Sequence, residues 1–221
     1  MVVEIELTLC SIIQGVALYF LVDNARAVLS MGQLAAWPYP AAGLLIILLF
    51  WSRAVIHTLT LIRWPLEFIH NFLYIACALF EALAFTRLAD PLMWFVLTAL
   101  FAVVVWVLFA YDYRLVRLRQ QDSAGPIGSR LYSMVAKDQR LNIVFVVPII
   151  FVLNAAGALA IYFRPRFFLE ENGHLLWIAL QVIGLLIYLG HLIRTFIRWV
   201  PLISITRAEW RAAAEKIAQN R

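Results

Sequence analysis

Apolar residues run along this chain in blocks of about 20, the length that carries an α-helix across a hydrocarbon core of about 30 Å. Six blocks fit that ruler: residues 5–22, 41–62, 66–86, 91–111, 142–163 and 175–199. The pattern predicts an all-α fold, a polytopic membrane bundle of six transmembrane helices with both termini on the cytoplasmic side. Residues 1–203 form the membrane domain and 204–221 a cytoplasmic amphipathic helix.

The polar breaks set the connections. "RWPLE" at 63–67 and "TRLADP" at 86–91 are so short that they predict antiparallel hairpins of helices two to three and three to four, since the residue before a proline is biased out of the helical region. Residues 113–141 make a longer cytoplasmic elbow, in which Gly125, Pro126 and Gly128 mark a turn between two basic helical extensions. In the tail, Thr206 stands three residues before Glu209, the spacing of a capping box. Trp210, Ala213, Ala214 and Ile217 then share one helix face, as expected of a surface helix on the inner leaflet.

Composition strengthens the membrane assignment, because 64% hydrophobic against 14% charged residues lies far from the balance of soluble domains. The net charge of +5 is distributed unevenly along the chain. With a cytoplasmic amino terminus, Arg63, the elbow residues Arg114, Arg117, Arg119, Arg130, Lys137 and Arg140, and the tail from Arg198 onward fall inside; Arg26, Arg87, Arg164 and Arg166 fall outside. Such a bias sets orientation and attracts anionic inner-leaflet lipids, consistent with a bacterial cytoplasmic membrane. It leaves no basic soluble domain for nucleic acid. Glu4 and Glu6 are the wrong flank for a cleavable signal peptide. Cys10 and Cys77 lack close metal-type neighbours and are expected to be small buried hydrophobes.

Charges inside the blocks carry the functional question. Counted at 1.5 Å per residue from the inner boundary, Arg53 lies about 15 Å deep, His57 about 9 Å and Glu81 about 22 Å. A charge near the bilayer centre costs at least about 2.5–3.5 kcal/mol and therefore turns inward to a partner. Arg53, His57, Thr60 and Trp64 share a helical stripe. The expected buried polar network joins Arg53, His57, Glu67, His70, Asn71, Glu81, His191 and Arg194: Arg53 pairs with Glu81, and His57 faces His70, Asn71 or Glu67. Gln14 and Gly15 give helix one either a pore face or a packing seam, whereas the fourth helix, almost wholly apolar, is expected to face lipid.

Enzyme chemistry finds no motif: GxSxG, HExxH, an acid-rich metal set and a phosphate-cradling loop are all missing from the sequence. No metal site and no cofactor are expected; haem would have one route, through two of His57, His70 and His191.

The six-helix organisation and the mid-helix glycine resemble the prokaryotic relatives of the endolysosomal potassium channel family. Where that family carries FSDG, this chain reads Ile12, Ile13, Gln14 and Gly15, keeping the glycine; Trp51, His57 and Asn71 follow in the family's order. The resemblance covers residues 4–90. It implies a homo-oligomeric cation channel, tetrameric in the family, whose first helix places Ile13, Gln14, Val16, Ala17 and Phe20 along the pore. The alternative is a non-conducting membrane subunit or adaptor that recruits a partner through the basic elbow and tail.

Overall fold

In lipid a backbone amide finds no water, so an apolar block of this length satisfies its own hydrogen bonds only as a helix. A computed structural model of the protein describes residues 2–30, 32, 34–60, 68–121 and 126–219. The helices are α1 (Val2–Ser30), α2 (Pro38–Thr60), α3 (Phe68–Phe85), α4 (Pro91–Gln121), α5 (Pro126–Leu141), α6 (Val147–Phe163) and α7 (His174–Gln219). Six helical segments are long and apolar enough to cross a membrane. The protein is therefore an integral membrane protein of all-α class.

Local chemistry sets the helix starts. Prolines open α2, α4 and α5, where their missing N–H would have had no partner. Asp90 caps α4, its carboxylate accepting from the Met93 amide at 3.1 Å.

Two boundaries differ from expectation. The fifth apolar block does not start its own helix at residue 142: α5, where a helical extension of the elbow was expected, runs into α6 through a π-turn at Asn142–Val146, giving one helical segment from Gly128 to Phe163. The tail is not a separate helix either, because α7 continues through Pro201 to Gln219. Thr206, expected to cap the tail, is fully buried inside this helix and its hydroxyl makes no hydrogen bond. With the helix unbroken there are no free amides for it to cap. The side chains of Trp210, Ala213, Ala214 and Ile217, and all of Arg63, Trp64 and Glu67, lie outside the described residues.

The helices pack in a closed cyclic order, α1, α2, α7, α6, α4, α3 and back to α1, with α5 against α4 and α7. Gly43 on α2 lets Leu21 and Phe85 approach; a Cβ there would stand 2.7 Å from Leu21 Cδ1. Gly157 on α6 similarly admits the Phe95 ring of α4. Gly15 has open space around it and is not a packing glycine. The middle of the bundle is filled by Tyr39, Phe50, Tyr74, Phe85, Trp94 and Phe95, while Ile12, Tyr19, Phe72, Ile149 and Ile187 are exposed on the outside. Apolar side chains outside and buried polar ones inside are what a hydrocarbon solvent requires.

The fourth helix does not simply face lipid. It packs on α3, α5 and α6 and buries Trp94, Thr98 and Asp112. Its few polar atoms are spent inward.

Candidate functional site

Arg53 projects from α2 into the bundle and is 8% exposed. Its Nη1 donates to Asp138 Oδ2, and its Nη2 donates to Gln139 Oε1 at 2.8 Å. The guanidinium carbon also stands 5.1 Å from the centre of the Phe109 ring, within cation–π range. The carboxylate of Asp138 is shared further. Its Oδ2 accepts from Asn142 Nδ2 at 3.1 Å, and its Oδ1 lies 3.3 Å from His191 Nε2. The Tyr188 hydroxyl donates to Asn142 Oδ1 at 2.8 Å.

The expected Arg53–Glu81 pair is therefore corrected. Depth counted along the second and third helices missed α5, which packs against α4 and α7 and brings Asp138 and Gln139 back to the guanidinium. Glu81 is held elsewhere: it is buried on α3 and accepts from Gln14 Nε2 at 3.2 Å.

A second cluster lies on the same side of Arg53. The rings of His57 and His70 stack with centroids 3.9 Å apart and planes 2° from parallel. Both turn a ring nitrogen toward Asp112 of α4: His70 Nδ1 is hydrogen-bonded to Oδ1 at 2.8 Å, and His57 Nδ1 lies 3.3 Å from Oδ2. Neither ring nitrogen of His57 makes a hydrogen bond. All three side chains are at most 5% exposed. Their donor atoms lie within 4.8 Å of one another, the one such His and acid group of metal-ligand spacing among the described residues. Two imidazoles and a carboxylate from three different helices can exchange protons or ligate an ion. Of the three histidines that could serve as haem ligands, His57 and His70 come together and His191 faces Asp138 instead.

The remaining predicted residues separate. Asn71 faces α1, its Nδ2 donating to Glu6 Oε2 at 3.4 Å, so it does not meet His57. Arg194 is exposed on α7 and makes no described ion pair. Glu67 falls outside the described residues. The predicted pore face of α1 is divided: Gln14 and Ala17 are buried within the protomer and Ile13 partly so, whereas Val16 and Phe20 point outward. Gln14 and Ala17 are thus spent on packing within the protomer, while Val16 and Phe20 lie on its surface.

Toward the opposite end, Trp94 Nε1 donates to Gln181 Oε1 at 2.9 Å, and Gln181 Nε2 donates to Asn154 Oδ1 at 2.9 Å. The Thr98 hydroxyl also reaches Asn154 Oδ1, at 2.8 Å. Beyond this cluster, Tyr39 and His174 Nδ1 are hydrogen-bonded at 3.0 Å.

Cavities lie beside these groups. One of about 70 Å³ is lined by Thr98, Asn154, Gln181, Tyr188 and Arg53. A second, of about 20 Å³, is lined by Arg53, His57, His70, Tyr74 and Asp112. Arg53 lines both, together with Phe50 and Phe109. A larger cavity, of about 650 Å³, lies at the far end beside Tyr39, Asp90 and His174. Asp112, Asp138, Gln139 and Asn142, all central here, were not anticipated from the sequence. A scan against protein-family models and searches of curated proteins and of solved structures found no match to this chain.

Proposed function

We propose that this membrane protein moves a small cation through the interior of each protomer, with Arg53 and its partner Asp138 as the constriction. The observation that carries this reading is that Arg53 lines two internal cavities at once, one leading toward the Thr98–Asn154–Gln181 cluster and the other to His57, His70 and Asp112. Buried ionisable residues in membrane helices mark ion and proton paths, because their desolvation has to be offset by a function or a partner. Here the sequence of groups runs from the far-end cavity at Asp90 and His174, past Tyr39 and Trp94, through the two internal cavities to Asp112.

This relocates the ion path that the potassium channel resemblance puts along the first helix, and a homo-oligomer is not needed to form it. The adaptor reading has less support. The elbow residues Asp138 and Gln139 are engaged by Arg53, and Arg207 at the base of the tail donates to the carbonyls of Leu59 and Thr58 at 3.1 and 3.4 Å.

The test is cation flux into liposomes holding the purified protein, with a tryptophan block placed at each candidate path. Ala102, 3% exposed, lines the 70 Å³ cavity, and Val16 points outward from α1. Ala102→Trp is expected to stop the flux and Val16→Trp to leave it unchanged. The reverse outcome restores the first-helix pore, and liposomes no leakier than protein-free controls end the transport reading.

A further inference from the structure

We propose that His57, His70 and Asp112 form a binding site for one divalent first-row transition metal ion, of the zinc, cobalt or nickel type. The donor set decides the class. Imidazole and carboxylate together suit these ions, whereas magnesium and calcium call for all-oxygen sites and copper(I) for sulfur. Three protein ligands that leave a position open are the arrangement of catalytic zinc sites rather than of closed structural ones.

Geometry supports the assignment independently of composition. Two ligands about 2.0 Å from a tetrahedral zinc stand ~3.3 Å apart; His57 Nδ1 and Asp112 Oδ2 are 3.3 Å apart. At that distance they nevertheless fail to form a hydrogen bond, because the ring nitrogen is out of line. His57 is thus a buried imidazole that faces Asp112 without a hydrogen bond at either nitrogen, beside a cavity of about 20 Å³. That volume holds one water-sized occupant. Tyr74 lines the same cavity.

The rings as they stand are parallel, so one ion cannot lie in both ring planes. Binding turns the His57 ring out of the stack, which breaks no hydrogen bond, and the ion takes the place of the proton between His70 Nδ1 and Asp112 Oδ1. Arg53 lines the same cavity and is paired with Asp138, so Asp112 is the carboxylate that faces the ion. The site stands apart from the transport reading: a protein that binds the ion without moving it keeps the site and loses the proposed function.

The experiment is a titration of the tag-free, EDTA-stripped protein in detergent with Co²⁺, read by its visible d–d absorption and checked by competition with Zn²⁺. One equivalent is expected to develop the band, and His57→Phe and Asp112→Asn to weaken binding at least 10-fold. His191→Phe, which alters the histidine beside Asp138, is expected to bind as the parent does. A featureless titration of the parent protein overturns the proposal whatever the variants do. So does a band that survives unchanged in well-folded His57→Phe and Asp112→Asn, or one that is lost in His191→Phe alone.

Discussion

Two polar clusters lie inside the same bundle and treat their hydrogen bonds differently. In the Thr98–Asn154–Gln181–Trp94 cluster the Asn154 amide nitrogen reaches the Ile150 carbonyl at 2.7 Å, its oxygen accepts twice, and the indole N–H is taken up by Gln181. In the His57–His70–Asp112 cluster, two imidazoles converge on one carboxylate and His57 is left with both nitrogens unbonded. A closed network of the first kind fixes helices against one another. An open one of the second kind has bonding capacity to spare, and a buried polar group without a partner costs about 1–3 kcal/mol. The two differ in how completely their bonding capacity is used, and substitutions can test what that difference is worth.

The largest effect is expected where a closed network holds a charge. Asp138→Ala leaves the Arg53 guanidinium buried without its counter-ion and is expected to destabilise the protein by about 3–5 kcal/mol, measured by unfolding in detergent. The double variant Arg53→Met with Asp138→Leu is expected to recover most of that loss, since replacing both partners by apolar side chains leaves no charge to desolvate. A double variant as unstable as Asp138→Ala would show that the acid serves chiefly to hold Asn142 and His191.

Next in size is Asn154→Leu, which removes the acceptor shared by Thr98 and Gln181. Interhelical hydrogen bonds in membranes are worth about 0.6–2 kcal/mol, so a loss of about 2 kcal/mol is expected. His57→Phe in the open cluster is expected to cost less, under about 1.5 kcal/mol, because it keeps a flat ring against His70 and breaks no hydrogen bond. The comparison is made by unfolding both variants in EDTA. If His57→Phe proves the more disruptive of the two, the open cluster is a structural one.

The helix count and the inward turn of Arg53 were legible because both follow from hydrophobic length and charge. Its partners were hidden by the ends of the apolar blocks. Asp112 continues the buried stripe Ala102, Val105, Phe109, and Asp138 continues Leu131, Val135; each steps by three or four residues on a helix that outruns its apolar block. Glu6, inside the first block, opens a buried stripe through Cys10, Gln14, Ala17 and Leu21. Helical phase carried past the hydrophobic boundary marks Asp112 and Asp138 as inward. Hydropathy alone stops at the boundary and reads those two as solvated.

The smallest predicted effect tests that same point on α7, where phase and local motif disagree. As a capping residue, Thr206 would accept a hydrogen bond from a free amide, and its replacement by valine would cost about 1 kcal/mol. Within a continuous helix the hydroxyl is buried and unpartnered, with no bond to lose. Removing an unsatisfied hydroxyl is neutral or stabilising, so Thr206→Val is expected to raise stability by up to about 1 kcal/mol. The two readings differ in sign, which makes a small shift decisive in a melting experiment. A lower melting temperature would mean that α7 ends near Pro201 and that the tail starts its own helix. A higher one would mean that the long helix carries its buried stripe past the proline as far as Arg207, whose guanidinium is bonded to the last carbonyls of α2.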